Sequence, residues 1–319
     1  SRMQLVNFLD NHDNPRFLSS SRANGNTNRL ALALTFLYTA RGIPCLYYGT
    51  EQGFDGKTDP YDREDMFAGQ FKDGQKGIDS FNMTSPLFQF IAKLNNFRRL
   101  YPALTLGSYI NRFCDKHGPG LFAYSRILNS QELRVVLNTA ASNQILLPRR
   151  LTYPANTTLV NLLNTNETIS LNSQSQTPPI IIPPSSAKIF IVQSQWRPLN
   201  PVVIGNSPAH GSFEVLVSLP ITLQFSEPMD TNSVQSAFSI NPPVNGLFKW
   251  SATHDTMIFT PDGTGLPDST MITVRLKDSA FGAVSHKKFY APYELKFHTA
   301  AAPVYSPHKH AVEAAIKLH

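Results

Sequence analysis

The sequence predicts a mixed fold, α/β followed by all-β, and three observations carry that expectation. Residues 1–102 alternate apolar runs of strand length with longer stretches whose apolar residues recur at helical spacing. Residues 103–197 change to short alternating strands broken by Pro and Asn, and residues 198–300 repeat short strands between Pro, Gly and Asp turns. Residues 301–319 read as a flexible tail.

Composition agrees. A chain of 319 residues suits two or three domains at about 100–200 residues each. A hydrophobic content of 41% supplies buried cores, and 24 Pro with only 16% charged residues suits short strands and turns. The formal charge is +6, yet no Lys/Arg run exceeds a pair and no aromatic ladder alternates with basic residues, so nucleic acid is not an expected partner. No apolar stretch reaches the ~18 residues of a membrane span.

The elements follow in order. Met3 to Leu9 is an apolar strand that runs into Asn11-His12-Asp13, an imidazole and a carboxylate side by side where a parallel α/β fold places its chemistry. Asn28 to Ala40 carries Leu30, Leu32, Leu34, Phe36 and Leu37 on a helical pattern, with Asn26 and Thr27 available as caps. Gly42 to Gln52 supplies the next apolar strand and its loop, and its Cys45 is expected to be buried as a small hydrophobe. Pro86 to Tyr101 is a second helix with Leu87, Phe90, Ile91, Leu94 and Phe97 on one face.

Beyond these, Leu121–Arg126, Glu132–Asn138 and Ser186–Val192 read as strands of a β-sandwich. Ile180-Ile181-Ile182, bracketed by Pro pairs, reads as an edge strand or an extended connector. After Trp196 to Pro201 a second sandwich is expected from Ile221–Phe225, Met257–Pro261, Ile272–Leu276 and Leu295–Thr299. Glu227 and Asp230 lie in what reads as a solvated turn rather than an acid pair. The two cysteines, Cys45 and Cys114, make no disulfide framework. Three sequons, at Asn82, Asn156 and Asn166, are compatible with secretion, and His308-Lys309-His310 with His319 is a poor metal-ligand set in a tail.

Phe8 to Phe17, Phe-Leu-Asp-Asn-His-Asp-Asn-Pro-Arg-Phe, resembles the fourth short consensus of the α-amylase family of glycoside hydrolases. Gly42 to Gln52 looks like that family's eighth barrel strand, and Asp59-Pro60-Tyr61-Asp62-Arg63-Glu64 is similar to its Asp-Pro-x-x-Arg-Glu loop. The resemblance implies the last two strand-helix units of a (β/α)8 TIM barrel in residues 1–102, then the antiparallel sandwich called domain C in 103–197. Residues 198–300, with Phe225-Ser226-Glu227-Pro228-Met229-Asp230, are similar to Ig-like modules of the bacterial surface-layer type.

The same resemblance implies roles. Asp13 is expected as the third catalytic carboxylate, favouring the oxocarbenium-like charge that builds on the sugar. His12 is expected to hydrogen-bond hydroxyls of the same unit, Asn11 to hold the strand end or touch substrate, and Asp59 and Arg63 to grip a neighbouring glucosyl unit. Met66-Phe67 stands where relatives often carry Trp. A retaining glycosidase needs a nucleophile and an acid/base carboxyl, and the family's segments for both are absent here.

The sequence therefore reads as the C-terminal part of a longer enzyme, secreted or at the cell surface, acting on starch or related α-1,4-glucans and inactive alone. Calcium belongs to the full-length enzyme by resemblance and is ascribed to no residue here. A glucanotransferase or α-glucosidase would use the same His12-Asp13 pair, and a non-catalytic glycan-binding or adhesion protein is the competing class.

Overall fold

A computed structural model describes residues 5–67, 79–263 and 265–301, which divide into two compact units at Leu199/Asn200. The start of the first expected strand, Met3, and the histidines of the tail lie outside the described residues.

In the first unit, β1 (Val6–Asn7) and β2 (Ile43–Pro44) pair in parallel, with α1 (Thr27–Thr39) as the crossover between them. The ladder is short because Pro44 has no N–H to donate; the bonds that form are Ile43 N–H to the Leu5 carbonyl and Cys45 N–H to that of Asn7. Gly42 is required there: its φ is +104°, and a Cβ would stand 2.6 Å from the Leu5 carbonyl oxygen. Asn26 caps α1, its side-chain oxygen accepting from the N–H groups of Asn28 and Arg29. Leu30, Leu34 and Leu37 point into the core, whereas Phe36 is 39% exposed and packs tilted against Phe122 and edge-on to Tyr124.

A 3-10 turn (Thr50–Gln52) precedes α2 (Pro86–Leu100), which starts on Pro and buries Leu87, Ile91, Leu94 and Phe97. Arg98 of α2 donates to the carbonyls of Tyr38 and Gly42 and so fixes the end of α1 against the start of β2. A single turn, α3 (Ala103–Leu106), leads into the sheet region.

That region is antiparallel throughout. The strands β3 (Ser108–Cys114), β4 (Leu121–Leu128), β5 (Gln131–Asn138), β6 (Gln144–Leu146), β7 (Thr158–Asn161), β8 (Asn164–Ser170), β9 (Ile180–Ile182) and β10 (Ser186–Val192) form a six-stranded sheet, order β3-β4-β5-β10-β7-β8, and a β6-β9 pair. β9 is the expected edge strand, burying Ile180 and Ile182 and exposing Ile181. One hydrophobic cluster runs from Leu30 and Leu34 through Leu94 and Phe97 to Val135, Leu159 and Phe190, so helices and sheet share a core.

The second unit is a sandwich of two antiparallel sheets. β11 (Val203–Ser207), β12 (Ile221–Phe225), β13 (Phe238–Asn241), β14 (Gly246–Trp250), β15 (Thr256–Pro261), β16 (Met271–Leu276) and β17 (Tyr293–His298) pair as β11-β12-β15-β14 and β13-β16-β17. Alternate residues face inward: Ile221, Leu223 and Phe225 on β12, and Ile272, Val274 and Leu276 on β16, are all buried.

Two expectations are corrected. Cys45 is exposed, not buried, because β1 is the one strand that pairs with β2 among the described residues; Cys114 is exposed and free as well. The polar stretch after Met229 is not simply a turn: Asp230 caps a helix, α4 (Thr231–Ala237), by accepting from the Ser233 N–H. Glu227 is likewise engaged, accepting from the N–H and hydroxyl of Ser285.

Candidate active site

The carboxyl ends of β1 and β2 lead into two loops that meet, residues 8–17 and residues 49–65. The first loop is shaped by its own side chains. Asp10 is buried and accepts from the Phe17 N–H at 2.7 Å, which closes the loop on itself. The Asn11 side-chain oxygen accepts from the Asp13 N–H at 3.0 Å and from Asn14 Nδ2 at 2.8 Å, an Asx turn that projects the two residues between them. His12 and Asp13 are accordingly exposed, with His12 Nε2 3.4 Å from Asp13 Oδ1 and side-chain exposures of 64% and 65%.

The second loop carries Asp59 and Arg63. Arg63 Nε lies 3.4 Å from Asp59 Oδ1 and donates to the His12 carbonyl oxygen at 3.2 Å. The five residues expected at the site are thus brought together: Arg63 bridges Asp59 on its own loop to the Asn11-His12-Asp13 turn. Arg63 also borders a cleft of about 520 Å³ whose walls include Tyr48, Glu51, Asp65, Phe67 and Phe81. Phe67 and Phe81 meet edge-to-face at 5.2 Å and are half exposed.

Beneath this surface sits a residue that the sequence reading did not single out. Arg16 is fully buried, its Nε donates to Glu64 Oε2 at 2.9 Å, and Nη1 donates to the Tyr48 carbonyl. Its guanidinium lies 4.0 Å over the Tyr47 ring and 4.9 Å over that of Tyr48, a cation–π box. Burial, the hydrogen bond to Tyr48 and that neighbour's charge push the Tyr47 hydroxyl up to about 12, with Arg16 opposing. Asp62 is also buried, and among the described residues no group hydrogen-bonds either oxygen of its carboxylate. The available signal was an Arg set between Pro15 and Phe17 in an apolar run, together with the Glu64 that ends the Asp59 loop motif.

Among the described residues no group of three or more His, Cys, Asp or Glu is arranged to hold a metal ion. The described helices include none long and apolar enough to cross a membrane.

The sequence has relatives. Residues 1–86 match the family described as alpha amylase, catalytic domain, and residues 199–299 match the bacterial Ig-like domain. Residues 1–86, with their β1-α1-β2 unit, are thus similar to part of an α-amylase catalytic domain, and residues 199–299, in the second unit, to a bacterial Ig-like domain. Among curated proteins it is 32% identical over 188 residues to the beta/alpha-amylase of Paenibacillus polymyxa, covering 57% of this chain and 14% of that protein. It is 36% identical over 133 residues to the cyclomaltodextrin glucanotransferase of Niallia circulans, covering 42% and 16%. The chain therefore spans a small part of the length of these relatives. A solved Anoxybacillus α-amylase is 25% identical, with a TM-score of 0.48 over 59% of this chain and 38% of that one.

Proposed function

We propose that this chain supplies part of the active site of an α-amylase-family enzyme that cleaves α-1,4-glucosidic bonds of starch-type glucans with retention. The observation that carries the proposal is the 3.2 Å bond from Arg63 to the His12 carbonyl, which sets the Asp59-Arg63 loop beside the His12-Asp13 turn. An exposed carboxylate next to an exposed imidazole suits a sugar ring: Asp13 accepts from hydroxyls and favours positive charge at the anomeric carbon, and His12 donates to the same unit. Asp59 accepts from, and Arg63 donates to, the adjoining glucosyl unit. Asn11 keeps the turn in shape. The nucleophile and the acid/base carboxyl come from segments outside this sequence, so residues 1–319 alone do not turn over.

Transfer is the second reading, and a specific observation favours it: several relatives at 31–36% identity bear the name cyclomaltodextrin glucanotransferase. Calcium would then be held by other segments of the complete enzyme. The Ig-like module supports a secreted or cell-surface location.

Starch digestion by the native protein, with products separated by size and ring closure, tests both readings. Linear maltooligosaccharides point to hydrolysis and cyclic or longer products to transfer, while a folded native protein inert on α-glucans overturns the proposal in favour of a glycan-binding or adhesion role.

A further inference from the structure

Two loops that must act on one sugar chain need a fixed relative position, and exposed contacts alone do not supply it. The Arg63–His12 and Arg63–Asp59 contacts are solvent-accessible, with Arg63 45% exposed, and such pairs hold geometry weakly. The buried layer below is different. Arg16, three residues after Asp13, sends its guanidinium to Glu64, which is the residue after Arg63. Glu64 is occupied on both oxygens: Oε2 by Arg16, and Oε1 by the N–H groups of Asp55 and Gly56 at 2.9 and 2.7 Å. The backbone adds a parallel tie, the Arg16 N–H donating to the Gly56 carbonyl at 2.9 Å.

We infer that Arg16 and Glu64 are positioning residues, a buried latch that couples the placement of Asp13 to that of Arg63. Neither touches the sugar. The chain of contacts runs from the Asp13 turn through Arg16 to Glu64 and one peptide bond on to Arg63. The aromatic box of Tyr47 and Tyr48 clamps the guanidinium plane, so a lysine, which lacks the planar fork, does not replace it. The same pair explains the shape of the loop: with Glu64 drawing in the Asp55 and Gly56 amides, the chain approaches Tyr61 so closely that a Cβ on Gly56 would lie 1.7 Å from the Tyr61 carbonyl oxygen. The inference rests on the reading of Asp13 and Arg63 as glucan-contacting groups.

The test is a double-mutant cycle in the native protein, with maltoheptaose as substrate. Glu64→Gln is expected to lower kcat/KM by about 100-fold, the cost of displacing a binding group by about 1 Å. If Glu64 acts through Arg63, adding it to Arg63→Ala lowers the rate little further, and Arg16→Lys behaves like Glu64→Gln. Fully additive losses, or a fall in melting temperature with unchanged kcat/KM, overturn the latch and leave a structural ion pair. Amide hydrogen exchange in Glu64→Gln gives a readout independent of turnover. Faster exchange at residues 11–17 together with 55–56 supports coupling, and faster exchange confined to 55–56 overturns it. A native protein without activity on maltoheptaose counts against the assigned function, and the exchange pattern still decides the latch.

Discussion

Arg126, in the middle of β4, donates from Nη1 to the Thr39 carbonyl at 2.8 Å, so a sandwich strand closes the last turn of α1. The same nitrogen reaches the Ala40 carbonyl at 2.6 Å and Nη2 the Gly107 carbonyl at 3.0 Å. A cation at a helix C-terminus meets the carbonyl groups left without helical partners and the negative end of the helix dipole. Burial outweighs the repulsion from Arg98 as the main cause that lowers the Arg126 guanidinium to about 10, so it is charged at any physiological pH.

Replacing Arg126 by Met leaves those carbonyls buried without a donor. At about 1–3 kcal/mol for an unsatisfied buried group, a loss of roughly 3 kcal/mol is expected, seen as a lower urea midpoint of the unit formed by residues 1–199. Because the helices and the sheet share one core, they should lose structure in a single transition; separate transitions would show that Arg126 does not join them.

Glu132 should make that unit acid-sensitive. Burial alone raises its carboxyl, but hydrogen bonds from Ser125 and Thr152 and the charge of Arg134 together outweigh burial and hold it below the ordinary range. A carboxyl depressed in the folded state stabilises fully above its unfolded value of about 4.3 and loses that contribution as pH falls through the folded value. Glu132→Gln should therefore cost about 3 kcal/mol at pH 7, by leaving Arg134 buried and unpaired, with the difference shrinking below about pH 4. A mutant deficit that is flat from pH 7 to pH 2 would contradict this.

In the Ig-like unit, Asp230→Ala removes the acceptor of the Ser233 N–H at 2.7 Å. The expected cost is about 1 kcal/mol, read by calorimetry as a lower melting temperature of residues 200–301, while Asp230→Asn retains most of the stability.

Gly56→Ala forces a methyl group into the Tyr61 carbonyl, a contact of 1.7 Å that the loop relieves only by opening. Activity on maltooligosaccharides should fall at least tenfold, through KM first, because Arg63 lies on the displaced loop. Circular dichroism should remain that of the parent, since the loop contributes little regular structure.

The elements built from local signals were legible. Asn26 and Thr27 bracketed the start of α1, Pro86 marked the start of α2, and the alternation in Leu121–Arg126 and Ile221–Phe225 marked strands of both sandwiches. What depended on partners distant in sequence was not. Among the described residues of the expected strand Met3 to Leu9, only Val6–Asn7 stand in register with a partner, because that partner, β2, is interrupted by Pro44. Cys45 reads as core from composition, but burial is set by neighbouring strands rather than by the residue's own hydrophobicity. α4 escaped because seven mostly polar residues give no apolar stripe, and only Asp230 announced it. At the site, the exposed residues were named from the motif, whereas Arg16 and Glu64 stand 48 positions apart and their pairing has no local signature.

The central claim is that Asp13 works on a sugar. The most direct measurement is kcat/KM of the native protein on maltoheptaose before and after Asp13→Asn. The side chain is 65% exposed, so the substitution should leave the melting temperature unchanged. The account predicts a rate loss of about 100-fold or more, as for removal of a group that stabilises transition-state charge. An Asp13→Asn protein that turns over maltoheptaose at the parent rate would contradict it.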